Sequence, residues 1–332
     1  MRSPSEFRSG KPSSYPDQSI YAAFACAEFG LAFRDLDGGS GLVFSVASPT
    51  KTLHFGAGRC AWYPQNNATA ATLASDKYFT NKILEDAGVA TLGGDYFFLH
   101  ERHRAHRPAG HERDDGSAYF RGLGGTAFIK PLLGSRGDFA QAIHGEASFE
   151  RYLHEVSRHY DAILIQPVVC GREYRVFLLD DEMVYAARKY PPVVVGDGVS
   201  AIRDLLVAHN AALRAHGLSP AAAEHDSSSL DTVLARGERW EIPGRMNLSA
   251  GGTMRIEAPR SDAAIALARK AAQSLGLRVA AVDLFTDIDA EPDAMRVIEV
   301  NSNPSIRLLE QSDRADLILK IWRHTFSAMG LL

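Results

Sequence analysis

Three oxygen-bearing side chains near the C-terminus, Asp283, Glu299 and Asn301, have the types and spacing of a divalent-metal site. Short apolar runs on both sides of the polar stretch 286–293 predict an antiparallel hairpin. Because residues two apart on a strand share a face, Glu299 and Asn301 point the same way, and Asp283 joins them if the register allows. Carboxylate and amide oxygens are ligands that Mg²⁺ prefers. The alternative interpretation is a set of acids on the solvated face of an edge hairpin.

Basic residues lie at the ends of predicted elements upstream of this hairpin. Lys77 falls in the first turn of a helix that Ser75 or Asp76 caps. A cation is disfavoured there by the helix dipole, which hints at a functional role. Lys130 ends the predicted strand 126–130, directly before a glycine-bearing turn.

Two later strands also carry charged residues. Glu173 lies in the predicted strand 171–179 and shares a strand face with Arg175. The next predicted strand, 183–190, contains Arg188 and Lys189 near its end. These basic residues and the Mg²⁺-type ligand set share one requirement, which is a nucleoside triphosphate with magnesium.

The composition limits the class of protein. A chain of 332 residues is long enough for two or three packed lobes. Its 45% hydrophobic and 23% charged residues are typical of a soluble globular protein. The net charge of −4 provides no basic surplus for general nucleic-acid binding. No apolar run approaches the roughly 18 residues that indicate a membrane-spanning helix.

The N-terminus and the cysteines indicate the cellular compartment. Residues 1–19 are polar and rich in Ser and Pro, which predicts a disordered leader without the apolar core of a signal peptide. Cys26, Cys60 and Cys170 are scattered and form no CxxC pair. They are typical of reduced thiols, so we expect a cytoplasmic protein.

Two other motifs have weaker functional interpretations. The stretch 56–61 matches the dinucleotide fingerprint GxGxxA, but Pro64 argues against the helix that this fingerprint requires. A glycine turn beside a substrate-facing loop is the preferred interpretation. The histidines between 100 and 111 could indicate a metal site. Because they lack helical spacing, we expect a mobile loop over 101–125.

Neither a GxxxxGK[ST] motif nor the kinase set of HRD and DFG motifs occurs in the sequence. In order and approximate spacing, the residues above resemble the ATP-grasp superfamily of carboxylate–amine ligases, especially the ATP-grasp modules of cyanophycin synthetase and bifunctional glutathione synthetase. The resemblance runs from about Asn67 to Arg307. The stretches that carry it are FGAGR, NNATAATLASDKYFTNKILEDAGV, FIKPLLGSRG, GREYRVFLL, RKYPPVVVGDGVSAIRDLL, NLSAGG and VDLF followed by VIEVNSNP.

The resemblance implies an α+β fold, in which two α+β lobes clamp ATP and a small α/β domain precedes them. It divides the chain into a leader (1–19), an N-terminal α/β domain (20–75), lobe A (76–165) and lobe B with the metal site (166–332).

The resemblance also implies roles for individual residues. Gln166 stands where the family usually has a glutamate that accepts the adenine amino group, and an amide oxygen can accept the same hydrogen bond. The other implied contacts to ATP are phosphate contacts by Lys77 and Lys130, a flap formed by Gly134, Ser135, Arg136 and Gly137, backbone contacts to adenine at Val168 and Val169, and ribose contacts by Glu173. Asp283, Glu299 and Asn301 would bind one or two Mg²⁺, with Mn²⁺ able to substitute.

The implied reaction transfers the γ-phosphoryl group of ATP to a substrate carboxylate, and an amine then attacks the acylphosphate to give an amide. Arg188, with Lys189, is the expected stabiliser of the transferring phosphoryl group. Arg245, Asn247, Gly251 and Gly252 are expected to hold the acylphosphate or the acceptor. The expected substrates are amino acids or small peptides.

Several questions stay open at this point. The family contains dimers and tetramers, so a homo-oligomer is one option. ATP-driven phosphorylation of a small molecule and non-catalytic ATP binding are the alternative functions. Ala281 replaces an arginine that D-alanine–D-alanine ligases carry two residues before the metal aspartate, which argues against that activity. Ser305 stands where a glycine often follows the proline.

Overall fold

The computed structural model describes residues 2–56, 62–134, 137–215, 229–242, 251–291 and 293–332. The helices are α1 (Pro4–Arg8), α2 (Asp17–Phe29), α3 (Ala68–Ser75), α4 (Lys77–Asp86), α5 (Arg113–Gly122), α6 (Glu146–Val156), α7 (Ile202–Ala215), α8 (Asp262–Ser274), α9 (Arg307–Gln311) and α10 (Ala315–Ala328). The strands are β1 (Ala32–Asp35), β2 (Val43–Ala47), β3 (Thr52–Gly56), β4 (Asp95–Phe98), β5 (Thr126–Pro131), β6 (Gln141–His144), β7 (Ala162–Gln166), β8 (Arg172–Leu179), β9 (Glu182–Tyr190), β10 (Val193–Val195), β11 (Arg239–Glu241), β12 (Thr253–Ile256), β13 (Val279–Thr286) and β14 (Arg296–Asn301).

The strands of the described residues form antiparallel sheets, which confirms the predicted α+β class. A five-stranded sheet has the order β12-β9-β8-β13-β14, and a four-stranded sheet has the order β4-β7-β5-β6. The remaining sheets are β1-β2-β3 and the pair β10-β11. The two larger sheets carry the three predicted metal ligands, together with Lys130, Gln166, Glu173, Arg188 and Lys189.

The predicted hairpin is β13–β14, and its register is the one that the metal-site hypothesis requires. Asp283 lies opposite Glu299, and Ala281 lies opposite Asn301. The register shifts between Asp283 and Leu284, where the ladder contains an irregularity. The hairpin is held by its apolar residues, since β13 is buried along nearly its whole length and Val297 and Val300 of β14 share a core with Val282 and Leu284.

The five-stranded sheet is covered on both faces. On one face, α8 and α4 pack with a cluster that includes Leu84, Ala268, Val282 and Val300. On the other face, the N-terminal segment and α10 pack against the sheet through a cluster that includes Tyr21, Phe177, Ala281 and Trp322. The two chain termini therefore share one hydrophobic core with the sheet.

The four-stranded sheet has its own core, and a helix that packs on this core corrects the predicted loop (101–125) over residues 113–122. Residues 113–122 form α5, whose N-terminus has a capping box between Glu112 and Asp115. Phe120 of α5 is buried and stacks on Phe149 of α6 with 4.3 Å between ring centroids. The sequence did not predict this helix, because most of its residues are polar and only a few of them face the sheet.

The predicted disordered leader (1–19) is wrong for residues 2–19, all of which the structure describes, and residues 17–19 already belong to α2. Pro4 starts α1, and Arg8 donates hydrogen bonds to Asp17 at 2.7 Å and to Glu310 Oε1 at 2.9 Å. The Tyr21 hydroxyl donates to Glu310 Oε2 at 2.7 Å. Arg8 and Glu310 are 302 residues apart in the sequence, so local composition did not reveal the contact between them.

Among the described residues, no helix has both the length and the apolar character needed to cross a membrane.

The Arg8 contacts predict a measurable loss of stability on substitution. Arg8→Ala removes charged hydrogen bonds from the largely buried Glu310, so the free energy of unfolding is expected to fall by about 2 kcal/mol. The control is Arg102→Ala, whose partner Asp161 is exposed, and a change below about 0.5 kcal/mol is expected for it. Urea denaturation followed by circular dichroism measures both values. Equal values for the two variants would contradict a packed N-terminal segment.

Candidate functional site

Charged and amide side chains from four neighbouring strands converge on one face of the five-stranded sheet. In the register, Asp283 of β13 lies opposite both Arg175 of β8 and Glu299 of β14. The strand period of two then brings further side chains to the same face. The set, called here the charged face, comprises Glu173, Arg175, Lys189, Asp283, Glu299 and Asn301.

The centre of the charged face is a buried ionic network. Arg175 binds Asp283 through two hydrogen bonds, Nε to Oδ1 and Nη2 to Oδ2, each 2.7 Å long. Lys189 Nζ donates to Asp283 Oδ2 at 2.9 Å and also to Glu173 Oε1. Asp283, Glu173 and Lys189 are all buried. Buried charges persist only when they are paired, so each member depends on the others.

The pKa values reflect this pairing. Burial by itself would raise the pKa of Asp283, but Arg175 and Lys189 hold it well below its usual range. Burial raises the pKa of Glu173, and the Lys189 ammonium offsets this only in part. The pKa of Lys189 is raised, because Asp283 and Glu173 outweigh the effect of burial. Asp283 is therefore held as a carboxylate that can serve as an anionic ligand.

The oxygen donors of this face fit a hard cation. Asn301 Nδ2 donates to Glu299 Oε1 at 3.2 Å and to the Ala281 carbonyl at 3.4 Å. The Oδ1 atom of Asn301 therefore points away from these two bonds, and it accepts no hydrogen bond from any described residue. Among the described residues, no cluster of three or more His, Cys, Asp or Glu side chains could hold a metal ion. A metal at Asp283 and Glu299 would thus depend on the Asn301 amide oxygen, which suits Mg²⁺.

Two lysines reach toward the charged face from the four-stranded sheet and α4. Lys130 of β5 is 4% exposed, and its ammonium forms no hydrogen bond or ion pair with any described residue. Burial lowers its pKa to about 8, although Glu299, Glu173 and Asp283 favour the charged form. Lys77 Nζ donates to the carbonyls of Leu132 at 3.2 Å and Gly134 at 3.1 Å. Burial also lowers the pKa of Lys77, against the opposing effect of Glu299.

Gln166 at the end of β7 has a buried hydrogen-bond acceptor that no protein atom uses. Its Nε2 donates to the Gly93 carbonyl at 2.6 Å, which fixes the orientation of the amide. Its Oε1 is buried without a hydrogen-bond partner. A buried acceptor normally has a partner, so this atom suits an amino group of a ligand. Val168 is exposed and Val169 half-buried in the segment that follows.

The structure separates Arg188 from Lys189, which corrects the joint role predicted for them. Neighbouring residues of a strand point to opposite faces, and only Lys189 reaches the charged face. The Arg188 guanidinium instead lies 4.7 Å from the centroid of the Tyr190 ring and 3.4 Å from Glu257.

The predicted glycine-bearing loops are described only in part. Gly134 and Gly137 are described, and Gly137 has a φ of +65°. Gly251 also has a positive φ, and a Cβ there would lie 2.7 Å from the His209 ring, so only glycine fits. Gly252 is buried. The predictions for Ser135, Arg136, Arg245 and Asn247 lie outside the described residues.

Sequence reasoning missed the place of Arg175 in the ionic network and the contact of His209 with Gly251. The face that Arg175 shares with Glu173 was visible in the sequence, but its bond to Asp283 depends on the pairing of β8 with β13. His209 of α7 packs on Gly251, and its Nε2 is buried without a partner. No sequence signal linked that helix to the glycines.

Comparisons with known proteins agree with this geometry. No protein-family model matches the chain. It is 27% identical over 265 residues to the glutathione biosynthesis bifunctional protein of Desulfotalea psychrophila, covering 73% of this chain and 32% of that protein. It is also 27% identical over 263 residues to the cyanophycin synthetase of a Synechocystis species, covering 71% and 28%. The chain thus spans about a third of the length of these curated relatives.

A solved structure supports the same assignment of the fold. A bifunctional glutathione synthetase from Pasteurella multocida matches 93% of this chain and 44% of its own, with a TM-score of 0.52 and 18% identity. The chain therefore has the ATP-grasp fold, and the resemblance predicted from its sequence motifs is confirmed.

The low pKa of Lys130 predicts a pH dependence of nucleotide affinity. The free protein loses the Lys130 proton as the pH rises through about 8, whereas bound phosphates favour the protonated form. Affinity is expected to be constant below about pH 7 and to fall above pH 8 by up to about one log unit per pH unit. Calorimetric titration with ATP and Mg²⁺ measures the profile. Lys130→Arg, which stays charged, should flatten it, and a flat wild-type profile to pH 9.5 would contradict the expectation.

Proposed function

We propose that the chain is a Mg·ATP-dependent ligase that joins the carboxylate of an amino acid or small peptide to an amine, with release of ADP and phosphate. The observation that carries this proposal is the convergence of a buried lysine (Lys130) and a half-buried lysine (Lys77), an oxygen donor set for a hard cation and an unused amide acceptor. A phosphate chain, its metal and an adenine amino group would satisfy these three features together.

ATP supplies the γ-phosphoryl group that turns a carboxylate into an electrophile, and Mg²⁺ neutralises the charge on the phosphates. Lys130 and Lys77 would hold the phosphates, because a buried lysine with no anionic partner binds an incoming anion strongly. Gln166 Oε1 would accept the adenine amino hydrogen, with backbone contacts near Val168 and Val169. Glu173 would accept a ribose hydroxyl through the carboxylate oxygen that Lys189 leaves available.

Asp283, Glu299 and Asn301 would hold one or two Mg²⁺, and Mn²⁺ would fit the same oxygen ligands. Arg175 bonds to both oxygens of Asp283 and so would fix the orientation of this carboxylate. Oδ1 accepts only this one bond from the described residues, whereas Oδ2 also accepts from Lys189, so Oδ1 would be the oxygen left for the metal. Lys189, already bonded to Asp283 and Glu173, would face the transferring phosphoryl group in place of Arg188. Positioning and charge stabilisation supply most of the catalysis of such transfers.

The remaining residues would act on the phosphates and the second substrate. The segment containing Gly134, Ser135, Arg136 and Gly137 would cover the phosphates. Arg245, Asn247 and the backbone amides of Gly251 and Gly252 would hold the acylphosphate or the amine.

The names of the curated relatives support the substrate class. Glutathione and cyanophycin, which those names contain, are both made of amino acids. We propose the same class here, in the cytoplasm, and a homo-oligomeric assembly.

ADP release across a matrix of amino acids and dipeptides, with mass spectrometry of the products, tests the activity. The ligase is expected to release ADP only when a carboxylate and an amine are both present, and the product mass should equal their sum minus water. ADP release with one substrate and a phosphorylated product would indicate a kinase. ATP binding without turnover of any pair would contradict ligation within this substrate class.

The unused Gln166 acceptor predicts nucleotide selectivity. Inosine triphosphate carries an oxo group where ATP has its amino group, so the wild-type chain is expected to bind ATP at least about tenfold more tightly. Gln166→Leu should bring this ratio close to one. The variant also frees the Gly93 carbonyl, but that change affects both nucleotides alike. A ratio unchanged by the substitution would contradict the proposed adenine contact.

A further inference from the structure

Asn66 is a buried polar residue. All four hydrogen bonds of its side chain are made with backbone groups at the ends of β13 and β14. It is 5% exposed. Its Nδ2 donates to the carbonyls of Val279 at 2.8 Å and Ser302 at 2.9 Å. Its Oδ1 accepts from the backbone N–H groups of Arg278 at 2.8 Å and Val279 at 2.9 Å.

These contacts continue the hairpin ladder past its last pair. The pairing of β13 with β14 reaches Ala281 and Asn301 at the open end. Beyond it, Val279 still pairs with β8 but no longer has a partner on β14. A carboxamide has the same donor and acceptor groups as a peptide unit, so Asn66 fills the place of the missing strand residue. Buried backbone groups need such partners.

One clamped position adjoins a proposed metal ligand, and the other lies four residues before a second ligand on the same strand. Ser302 directly follows Asn301, and Val279 precedes Asp283 on the same strand. The two ligands lie on different strands, so their separation depends on how firmly the open end is closed. Neighbouring contacts hold the same segment, since the Trp62 N–H donates to Asn303 Oδ1 at 3.0 Å.

We propose that Asn66 is a positioning residue, which sets the spacing of Asp283 and Asn301 by closing the open end of the hairpin. This inference rests on the proposed function, because it assigns Asn66 to the metal set of that site. Asn66 itself would touch neither the metal nor the nucleotide. Groups bonded directly to metal ligands typically change metal affinity by about 10–100-fold when they are removed. Asn66 acts through the backbone of Val279 and Ser302, so we expect the lower end of this range.

Asn67 provides a matched control one residue away. Its Oδ1 accepts from the Ala70 N–H at 2.8 Å and caps α3, and no described contact joins its side chain to the hairpin. Asn67→Ala is therefore the same chemical change with a purely structural effect. Asn66→Ala removes all four bonds to the hairpin.

The test measures binding of Mn²⁺ by electron paramagnetic resonance, in the presence of a non-hydrolysable ATP analogue and without turnover. Asn66→Ala is expected to weaken Mn²⁺ binding at least about tenfold, with binding of the analogue itself retained. Asn67→Ala is expected to bind Mn²⁺ like the wild-type chain. Circular dichroism establishes that each variant is folded, and if Asn66→Ala does not fold, Asn66→Ser is measured against the same criterion.

Each other outcome overturns a stated claim. If the wild-type chain binds Mn²⁺ and the folded Asn66 variant binds it with the same affinity, the positioning role is wrong, while the metal site of the proposed function stands. Equal losses in the Asn66 and Asn67 variants assign the effect to general stability and overturn it as well. If the wild-type chain binds no Mn²⁺ with the analogue, the metal site of the proposed function is wrong, and the role of Asn66 is wrong with it.

Discussion

The buried carboxylate of Asp283 is the constraint on which the rest of the site depends. A carboxylate in this position is tolerable only because Arg175 grips both of its oxygens and Lys189 binds one of them. Lys189 in turn binds Glu173. The network holds two cations and two carboxylates, so removal of any one of them leaves a net buried charge. The strands that carry them must therefore keep one register. The charge balance of the site therefore depends directly on the register of the central strands.

The second requirement is that two separately packed sheets present their charges to each other. Lys130 belongs to the four-stranded sheet, with its own core around Phe120 and Phe149. The metal set belongs to the five-stranded sheet, yet Glu299 influences the pKa of Lys130 and of Lys77. The lysines remain without anionic partners inside the described protein, while the carboxylates are largely paired. Unpaired lysines favour a bound polyanion. Glu299, which accepts from the Asn301 amide but forms no ion pair with any described residue, favours a cation beside it, and Mg·ATP combines the two.

The sequence predicted the parts of this site that depend on local pattern, and it failed where distant contacts decide. The hairpin was predictable because strand alternation places Glu299 and Asn301 on one face whatever else surrounds them. Arg188 and Lys189 were predicted to act together, although alternation should have separated them. The role of Arg175 depends on the pairing of strands about a hundred residues apart in the chain. The N-terminal segment was predicted to be disordered from its polar composition. Composition does not reveal the bond to Glu310, a residue far along the chain, that holds this segment in place.

The central claim is that the charged face binds a nucleotide with its metal, and a crystal structure with Mn²⁺ and a non-hydrolysable ATP analogue tests it most directly. Anomalous scattering locates Mn²⁺ independently of the refined coordinates. The account predicts an anomalous peak bonded to Asp283, Glu299 and Asn301 oxygens at about 2.0–2.3 Å, with phosphates at Lys130 and the adenine amino group at Gln166 Oε1. A nucleotide bound elsewhere, or Mn²⁺ away from these three side chains, would contradict it.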